Sequence, residues 1–327
     1  MTHESILIVS TNWIGDAIMS MPAVQLFRQK YPDTRITMLA RPLIRALWAM
    51  HPAIDQHETM VDKLPTIRKL KQTHFDQAYI FPNSFRSAFV PFMAGVPERI
   101  GPRGHWRRLM LTEVIAMPEG HQQFESMKIL DVNGEPPAPH INVPEESIES
   151  LLVRLTNLGF KPSNRPIIAL LPGAARGPSK RWPQANFIAV AKKLCDSLDA
   201  QIMLGGGPDD AVTCEEIAKE TGPNAISVAG KTSIAEWAAL LKMSHCVISN
   251  DSGGMHLAAT VGTPVIGIFG ITDPSKTGPL GRAVILQKSS IRARRIPRES
   301  EEATRALASI LPDEVCEAAT KIINTSR

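Results

Sequence analysis

The sequence predicts two doubly wound α/β domains, each built on a parallel β-sheet, and three observations support this fold class. Short apolar segments recur along the whole chain, and their apolar residues are continuous rather than alternating. Stretches with helical periodicity separate them. This alternation stops near residues 136–139 and resumes at Pro166. Continuous apolar strands, each followed by a helix, are typical of a parallel sheet that helices cover on both faces.

Eight segments bounded by turn-forming residues are predicted as strands. In chain order they are Ile6–Val9, Ile36–Leu39, Ala78–Phe81, Ile167–Leu171, Ile202–Leu204, Ala225–Val228, Cys246–Ser249 and Val265–Phe269. Parallel pairing requires a crossover between neighbouring strands, and the intervening stretches are long enough to supply helices.

Helices are predicted where apolar residues recur at steps of three and four. The two clearest sets are Phe187, Ala191, Leu194 and Leu198, and Ile234, Ala238 and Leu241. Ser233 and Glu236 form a capping-box pattern that begins the second of these helices. A polar helix over Glu145–Leu158 ends the first domain, so the domains are expected at residues 1–158 and 159–327. The last helix, from about residue 301, fits either domain and is a candidate to pack on the N-terminal one.

Length and composition exclude several classes of protein. A chain of 327 residues suggests about two domains, and no apolar run approaches the ~18 residues of a membrane span. Glu4 stands where a signal peptide would have Lys or Arg, so a cytoplasmic protein is expected. A net charge of +4 and only 17 aromatic residues argue against nucleic acid as a partner. The four cysteines lack metal-site spacing and are predicted to be reduced, mostly buried thiols.

Two groups of arginines stand out from this modest net charge. They are Arg99, Arg103, Arg107 and Arg108, and Arg292, Arg294, Arg295 and Arg298. Each group is either a solvated face of the protein or a docking surface for an anionic acceptor or an anionic membrane.

Ligands of doubly wound sheets bind where strands end and helices begin, so the strand-to-helix loops are the candidate sites. The first loop, residues 10–16, has one glycine and does not match the dinucleotide-binding pattern. It ends in Asp16, which is either a helix cap or a general base. The second loop contains Gly173, Gly177 and Lys180, a combination that suits a diphosphate.

Two further loops extend the candidate site. Ser252, Gly253 and Gly254 open a helix and offer backbone N–H groups to an anion. Asp251 and His256 flank them, His256 being either a structural histidine or a phosphate or sugar contact. The turn at residues 205–210 ends in Asp210, a carboxylate suited to a ribose diol. No Asp-x-Asp pattern occurs in the chain, so lysine and a helix dipole are expected in place of a metal ion.

Five ordered motifs carry a resemblance to a known family. They are NWIGDAIMSMP, NSFRS with PFMAGVPERIGPRG, PGAARGPSKRWP, GKTS with its capping box, and SNDSGGMHLAA. Together they resemble the ADP-heptose:lipopolysaccharide heptosyltransferases of glycosyltransferase family 9, and most closely the heptosyltransferase II group. The resemblance implies a GT-B fold, with two Rossmann-like domains facing a cleft, the acceptor on the N-terminal domain and the ADP-sugar on the C-terminal one.

The implied reaction is inverting transfer of L-glycero-D-manno-heptose from ADP-heptose to the lipopolysaccharide inner core. The implied acceptor is heptosyl-Kdo-lipid A. The resemblance also implies a peripheral protein at the cytoplasmic face of the inner membrane. No cofactor or metal is implied. By resemblance Asp16 is the base and Lys180 the phosphate-binding lysine. The implied donor-binding residues are Gly173, Lys180, Asp210, Thr232, Asp251, Ser252, Gly253 and His256. The implied acceptor-binding residues are Asn12, Asn83, Arg86, Arg103 and Arg107.

The sequence also departs from the family's pattern. Ala175 and Arg176 replace a Glu and an aromatic residue, and residues 289–300 lack a Cys-Pro-x-Cys pattern. Heptosyltransferases I and III remain alternatives within the family. A GT-B sugar-nucleotide epimerase and a non-catalytic ADP-sugar-binding protein are alternatives of other classes.

Overall fold

Two six-stranded sheets organise the protein, whose structure is a computed structural model that describes residues 4–104, 106–293 and 296–325. The chain divides into two compact units, Met1–Asn142 and Val143–Arg327, with one sheet in each. Every strand pair in both sheets is parallel. The predicted pair of doubly wound parallel-sheet domains is therefore confirmed.

The first unit alternates strands and helices from its N-terminus. Its elements are β1 (Ser5–Val9), α1 (Ile14–Lys30), β2 (Arg35–Ala40), α2 (Pro42–Trp48), β3 (Gln56–Thr59), α3 (Lys63–Lys71), β4 (Gln77–Ile80), α4 (Phe85–Ala94), β5 (Glu98–Pro102), β6 (Glu113–Ile115) and α5 (Gln123–Ile129). β1 and β4 are buried along their full lengths, as continuous apolar strands between two helical layers should be.

The second unit repeats this plan and adds helices at both ends. Its elements are α6 (Glu145–Asn157), β7 (Ile167–Leu171), α7 (Gln184–Leu198), β8 (Gln201–Leu204), α8 (Ala211–Thr221), β9 (Ala225–Ser227), α9 (Ile234–Met243), β10 (Cys246–Asn250), α10 (Gly253–Thr260), β11 (Val265–Ile268), α11 (Pro274–Thr277), β12 (Ala283–Leu286), α12 (Glu301–Ala308) and α13 (Pro312–Thr325).

Both sheets have the same strand order. Numbered within each unit, the order is 3-2-1-4-5-6. The direction of winding reverses between β1 and β4 in the first unit and between β7 and β10 in the second. Ligands of such sheets bind at this switch point, outside the carboxyl ends of the strands. The loops that follow these four strands are therefore the parts of each unit best placed to hold a ligand.

The boundary between the units differs from the one expected from the sequence. Helix α6 lies in the second unit, whereas the sequence analysis placed it at the end of the first domain. Glu236 of α9 accepts hydrogen bonds from Ser150 (2.8 Å) and Arg154 (3.1 Å) of α6. Burial raises the pKa of Glu236, but hydrogen bonds from Ser233, Ser150 and Arg154 outweigh it and lower the pKa to about 2. These bonds, with the packing of Leu151 on the core, fix α6 to α9.

The terminal helices belong to the second unit, whereas the last helix was expected to be a candidate to pack on the N-terminal domain. Leu307 of α12 and Val315 of α13 belong to the same buried cluster as Phe187 of α7. The indole Nε1 of Trp182 donates a hydrogen bond to the carbonyl oxygen of Ile310 (3.1 Å). Because this contact ties the loop before α7 to the connection between α12 and α13, the C-terminal helices help to position a candidate ligand loop.

Four strands escaped the sequence analysis: β3, β5, β6 and β12. Three of them lie at sheet edges, and the fourth, β5, contains a charged residue pair, a glycine and a proline. Edge strands are covered less completely and need fewer apolar residues, so their sequences lack the continuous apolar pattern. The capping box of α9 is confirmed, because Ser233 and Glu236 exchange hydrogen bonds of 2.7 and 3.1 Å.

Candidate functional site

The loop between β1 and α1 presents Asp16 in the first turn of α1. Trp13 occupies the N-cap position with extended backbone and makes no side-chain capping bond, so Asp16 is the third helical residue rather than the cap. Its side chain is half-buried, and Asn12 is exposed. The loop begins at Ser10, whose hydroxyl accepts a hydrogen bond from the indole of Trp48 (2.8 Å). A carboxylate in a first helical turn is favoured by the helix dipole.

The loop after β4 lies beside a cavity of about 450 Å³. Asn83, Ser84, Phe85 and Trp106 line it. Asn83 is exposed, and Ser84 caps α4 by accepting a hydrogen bond from the backbone N–H of Ser87 (3.3 Å). The sequence analysis named Asn83 but not its neighbours in this cavity, because the approach of Trp106 depends on the fold.

Arg107 requires a correction to the predicted basic cluster. Its side chain is completely buried, and its Nη1 donates hydrogen bonds to the carbonyl oxygens of Pro82 and Ser84 (3.2 Å to Ser84). Burial lowers the pKa of Arg107 to about 10. Gly101 and Gly104 make room for it, since a Cβ at Gly104 would lie 2.7 Å from the Arg107 Cδ. Arg107 thus supports the loop that carries Asn83 instead of presenting its charge at the surface.

The other cationic residues of this region divide into two groups. Arg99 donates hydrogen bonds to the carbonyl oxygens of Val96, Pro97 and Met110, so it too is engaged with the backbone. Arg86 is half-buried and donates to the Val61 carbonyl oxygen (3.3 Å). Arg103 and Arg108 are exposed. In the C-terminal group, Arg292 and Arg298 are described, whereas Arg294 and Arg295 lie outside the described residues.

In the second unit, Lys180 and Asp251 are brought together. Lys180 ends a short 3₁₀ turn, Pro178–Lys180, and its Nζ forms an ion pair with Oδ2 of Asp251. Only 12% of the Lys180 side chain and 7% of the Asp251 side chain are exposed. The turn is held from the other side by Ser179, whose hydroxyl donates to the Arg298 carbonyl oxygen (2.9 Å). The sequence analysis assigned both residues to the donor loops but did not predict their direct contact.

Asn250 fixes the loop that carries Lys180. Its amide donates to the Pro172 carbonyl oxygen (2.7 Å) and accepts from the backbone N–H of Trp182 (3.0 Å). These two bonds join both ends of the β7–α7 loop to the end of β10. Asn250 lies within one of the sequence motifs, but no role was predicted for it. Its position directly after the predicted strand Cys246–Ser249, at the start of a candidate ligand loop, is the sequence signal that could have identified it.

The start of α10 offers backbone donors next to this ion pair. Ser252 is the N-cap residue, and its hydroxyl lies 3.3 Å from that of Ser249. The N–H groups of Ser252, Gly253 and Gly254 donate to no acceptor within the described part of the chain. His256 is buried one turn further along α10. N–H groups at a helix N-terminus, beside a lysine, form an arrangement suited to a phosphate.

Asp210 and Thr232 lie in two adjacent loops. Asp210 accepts a hydrogen bond from the Gly207 N–H (3.0 Å), and burial raises its pKa. Its carboxyl group packs against Gly173, where an added Cβ would lie 2.2 Å away. Thr232 is half-buried in the loop that Gly230 ties to Gly206 by a backbone hydrogen bond (3.1 Å). A side chain at position 173 would therefore displace the Asp210 carboxyl group from its present position.

Trp237 of α9 is a further residue that the sequence analysis did not single out. Its ring lies behind Gly205 and Gly254, where added Cβ atoms would lie 2.9 and 2.8 Å from ring atoms. The same indole thus backs the loop after β8 and the start of α10. A tryptophan on a helical face usually packs in the core, and only the fold shows that two candidate ligand loops rest on this one.

Comparison with known proteins identifies the family. The model of glycosyltransferase family 9 (heptosyltransferase) matches residues 64–303. The chain belongs to glycosyltransferase family 9. Lipooligosaccharide heptosyltransferase 2 of Haemophilus ducreyi is 30% identical over 305 residues, which cover 86% of this chain and 87% of that protein. Lipopolysaccharide heptosyltransferase 2 of Escherichia coli K12 is 30% identical over 297 residues, covering 84% and 85%.

Solved structures of this family confirm the fold. The structure of E. coli ADP-heptose lps heptosyltransferase II aligns over 98% of this chain and 99% of its own, with a TM-score of 0.87 and 26% identity. A structure of an E. coli heptosyltransferase with ADP aligns over 97% and 99%, with a TM-score of 0.72 and 19% identity. This family 9 protein is therefore a GT-B glycosyltransferase, as the resemblance implied. Family membership also decides against the epimerase and binding-protein alternatives.

The four cysteines of this family 9 protein are free thiols, three of them buried, as predicted. Burial raises the pKa of Cys214 and Cys246 to about 12.

Among the described residues, no group of three or more His, Cys, Asp or Glu is arranged to hold a metal ion. Within the same ranges, no helix combines the length and apolar character needed to cross a bilayer.

Proposed function

We propose that this protein transfers L-glycero-D-manno-heptose from ADP-heptose to the lipopolysaccharide inner core, adding the second heptose to heptosyl-Kdo-lipid A. The observation that carries the proposal is the match to heptosyltransferase 2 proteins over more than four fifths of the chain. Heptosyltransferases I and III act at other inner-core positions and are the alternative acceptor assignments.

The donor site of the proposal lies in the second unit. Lys180 and the N–H groups at the start of α10, from Ser252 and Gly253, bind the diphosphate. Asp251 holds Lys180 in place and, with His256, contacts the sugar. Asp210 and Thr232 hold the ribose and the adenine. The supporting observation is that Asn250 joins the loops that carry Lys180 and Ser252.

The chemistry of the proposal is a single in-line displacement. The acceptor hydroxyl oxygen forms a bond to the anomeric carbon, and the bond from that carbon to ADP breaks with its electron pair going to the departing phosphate oxygen. Asp16 takes the hydroxyl proton, which is why one carboxylate is sufficient for inversion. Lys180 and the helix N-terminus stabilise the charge that develops on ADP, so no metal ion is needed for that purpose.

The acceptor site of the proposal lies in the first unit. Asn12, Asn83, Arg86 and Arg103 contact the phosphorylated, acidic inner core directly. Arg107 contributes by holding the loop around Asn83, since its guanidinium is buried against that loop. An acceptor anchored in lipid also implies that the protein works at the cytoplasmic face of the inner membrane as a peripheral protein.

An acceptor panel tests the proposal directly. Purified protein is incubated with ADP-heptose and either Kdo-lipid A or heptosyl-Kdo-lipid A, and the products are analysed by mass spectrometry. The expected result is the addition of one heptose mass to heptosyl-Kdo-lipid A, with little product from Kdo-lipid A. Preferred transfer to Kdo-lipid A would support heptosyltransferase I instead, and transfer only to an acceptor that already carries two heptoses would support heptosyltransferase III.

A further inference from the structure

Helix α4 carries three phenylalanines along one side, of which Phe85 and Phe92 are exposed and Phe89 is half-buried against the core. Phe85, Phe89 and Phe92 follow one another at steps of four and three, so they lie on one side of the helix. The Phe85 and Phe89 rings stack with their centroids 5.8 Å apart. Phe85, Phe92 and the adjacent Met93 are each more than 40% exposed. An exposed row of large apolar side chains is unusual on a monomeric protein and marks an interaction site.

Neighbouring elements extend this face. Trp106 is 90% exposed and lines the same cavity as Phe85. Leu109 is 93% exposed in a 3₁₀ turn, Arg108–Met110, that packs beside α4. Leu64 is exposed on α3, which also packs on α4. The six residues Leu64, Phe85, Phe92, Met93, Trp106 and Leu109 are called the aromatic surface below. They lie on elements that contact one another in the first unit.

Basic residues lie at the border of the aromatic surface. Residues 61–109 contain nine Lys or Arg and three Asp or Glu, although the net charge of the whole chain is only +4. Of the nine, Arg107 is buried and Lys69 pairs with Glu58 (2.7 Å), so the others supply the exposed positive charge. The Lys63 ammonium lies 5.6 Å from the centre of the Phe89 ring, and the Arg99 guanidinium lies 5.4 Å from that of Phe92. Arg108 is exposed next to Leu109. Two of the three acidic residues, Asp76 and Glu98, accept hydrogen bonds from neighbouring groups of the same unit.

Exposed aromatic side chains next to basic ones match the chemistry of an anionic membrane surface. Aromatic and long apolar side chains partition into the headgroup region, and Lys and Arg beside them pair with anionic lipid headgroups. Protein–protein interfaces are also rich in aromatic residues, Met and Arg, but they are depleted of lysine, and Lys63 lies against the Phe89 ring at the border of this surface. We propose that the aromatic surface, with Lys63 and Arg108 at its border, docks this protein on a bilayer that contains anionic phospholipids. This proposal rests on the proposed function in one respect: a lipid-anchored acceptor explains why the protein would bind a membrane.

Vesicle sedimentation without any acceptor lipid tests the docking surface. The wild-type protein is mixed with vesicles of phosphatidylethanolamine and phosphatidylglycerol, and in parallel with vesicles of phosphatidylcholine alone. We expect binding to the anionic vesicles at least tenfold stronger than to the neutral ones, weakened severalfold when the salt concentration rises from 50 to 500 mM. Equal binding to both vesicle types, or no binding to either, would overturn the proposal.

Two triple variants locate the binding surface. Phe92→Ser, Met93→Ser and Leu109→Ser together remove apolar area from the aromatic surface. Val153→Ser, Val212→Ser and Leu311→Ser remove three other exposed apolar residues from the second unit and serve as the control. The first variant is expected to lose at least tenfold in vesicle affinity, whereas the control keeps the wild-type value. An unchanged affinity in the first variant, or an equal loss in both, contradicts the assignment.

A paired charge experiment uses the same design. Lys63→Gln with Arg108→Gln is compared with Lys192→Gln and Lys219→Gln, which remove the same charge from exposed positions of the second unit. Only the first pair is expected to weaken binding to anionic vesicles, and an equal effect of both pairs would mean that net charge alone drives binding. If sedimentation velocity shows instead that the aromatic surface mediates self-association, the partner is a second copy of the chain and the membrane proposal is wrong.

Transfer to a deacylated acceptor separates this proposal from the proposed function. The triple variant of the aromatic surface should transfer heptose to a lipid-free inner-core oligosaccharide at the wild-type rate. If the wild-type protein binds anionic vesicles but transfers no heptose, the proposed function fails and the docking surface stands. If it transfers heptose but does not bind vesicles, the docking surface fails and the function stands.

Discussion

Lys180 and Asp251 form an ion pair that links the loop after β7 to the loop after β10. Both side chains are almost entirely buried, so each is the main compensation for the other's charge. Removing one partner of such a pair costs about 3–5 kcal/mol, because the remaining charge stays buried without its counter-ion. The pair therefore contributes to the local structure of the candidate donor site as well as to its charge.

The first prediction separates these two contributions. Lys180→Ala should lower the free energy of unfolding by about 3 kcal/mol or more, because it leaves the Asp251 carboxylate buried without its cation. Lys180→Met combined with Asp251→Asn should recover most of this stability, because no charge remains. The measurement is urea unfolding of both variants and the wild type. If the double variant is as unstable as Lys180→Ala, loss of the ion pair does not explain the lower stability of the single variant.

The kinetics of the same variants test the role of Lys180 in transfer. Even the stable double variant should lose roughly 2–4 kcal/mol of transition-state stabilisation, by analogy with the loss of other groups that stabilise a developing anion. Its affinity for ADP, measured by calorimetry, should also fall. Normal transfer kinetics in that variant would mean that another cation, Arg176 or Arg181, binds the phosphates of ADP.

A second prediction concerns metal ions. Because the proposed mechanism assigns the stabilising positive charge to Lys180 and the N-terminus of α10, transfer should continue almost unchanged after EDTA treatment. The initial rate is measured at saturating ADP-heptose in metal-free buffer, with and without added Mg²⁺. An absolute requirement for Mg²⁺ or Mn²⁺ would contradict the roles given to these groups.

A third prediction distinguishes Arg103 from Arg107. Arg103 is exposed, so Arg103→Gln should raise the acceptor KM and leave the donor KM unchanged, and the effect should shrink at high salt. Arg107 is buried against the carbonyl oxygens of Pro82 and Ser84. Arg107→Gln leaves these oxygens without their donor, so it should cost about 1–3 kcal/mol of stability. Steady-state kinetics at two salt concentrations and thermal unfolding give the comparison, and identical behaviour of the two variants would contradict it.

A fourth prediction concerns the dependence of stability on pH. Burial, together with the nearby His140 and His57, lowers the pKa of His51 from 6.5 to about 3. In the unfolded chain, this histidine binds a proton below about pH 6.5. In the folded protein, it binds the proton only below about pH 3. The free energy of unfolding therefore decreases as the pH falls from about 6.5 to about 3. The cost is about 1.4 kcal/mol for each pH unit.

His51→Asn should flatten this part of the stability profile, because Asn does not titrate and its oxygen can still accept the Ala53 N–H bond now made to Nδ1 (3.2 Å). Urea unfolding at pH 7, 6, 5 and 4 gives the slope. His74→Asn, at an exposed position of the same unit, is the control and should keep the wild-type slope. A profile for His51→Asn as steep as that of the wild type would show that other groups cause the dependence.

The sequence was sufficient to predict the central strands and the loops that follow them. Ile6–Val9 and Ile167–Leu171 were recognisable because buried parallel strands are apolar on both faces, and Ser233 and Glu236 marked a helix start by local chemistry alone. The order of the strands then brings the loops after β7 and β10 together, as the general rule for such sheets requires.

Other features depend on contacts between distant parts of the chain and were not predictable. Nothing local distinguishes Arg107 from its exposed neighbour Arg108, because its burial results from packing over Gly101 and Gly104. The contact of Lys180 with Asp251 spans 71 residues, and the position of Trp237 behind two glycines arises only when α9 packs on the sheet. The membership of α6 in the second unit likewise depends on side-chain bonds to α9.

The central claim is that Asp16 is the base of a glycosyl transfer whose donor is bound by the other unit, and the substitution Asp16→Asn tests it most directly. The amide keeps the size of the side chain, and loss of a charge in the first turn of α1 should cost at most about 1 kcal/mol of stability. It cannot accept the acceptor proton, and removal of a general base typically lowers the rate by about 10²–10⁴-fold.

The measurement pairs the single-turnover rate of heptose transfer with the calorimetric affinity for ADP, on one preparation of the Asp16→Asn protein and one of the wild type. Asp33→Asn, at an exposed position of the same unit, serves as the control. We predict a transfer rate at least 100-fold lower in Asp16→Asn, with ADP affinity within twofold of the wild type. A rate within a few-fold of the wild type, or a loss of ADP binding that parallels the loss of rate, would contradict it.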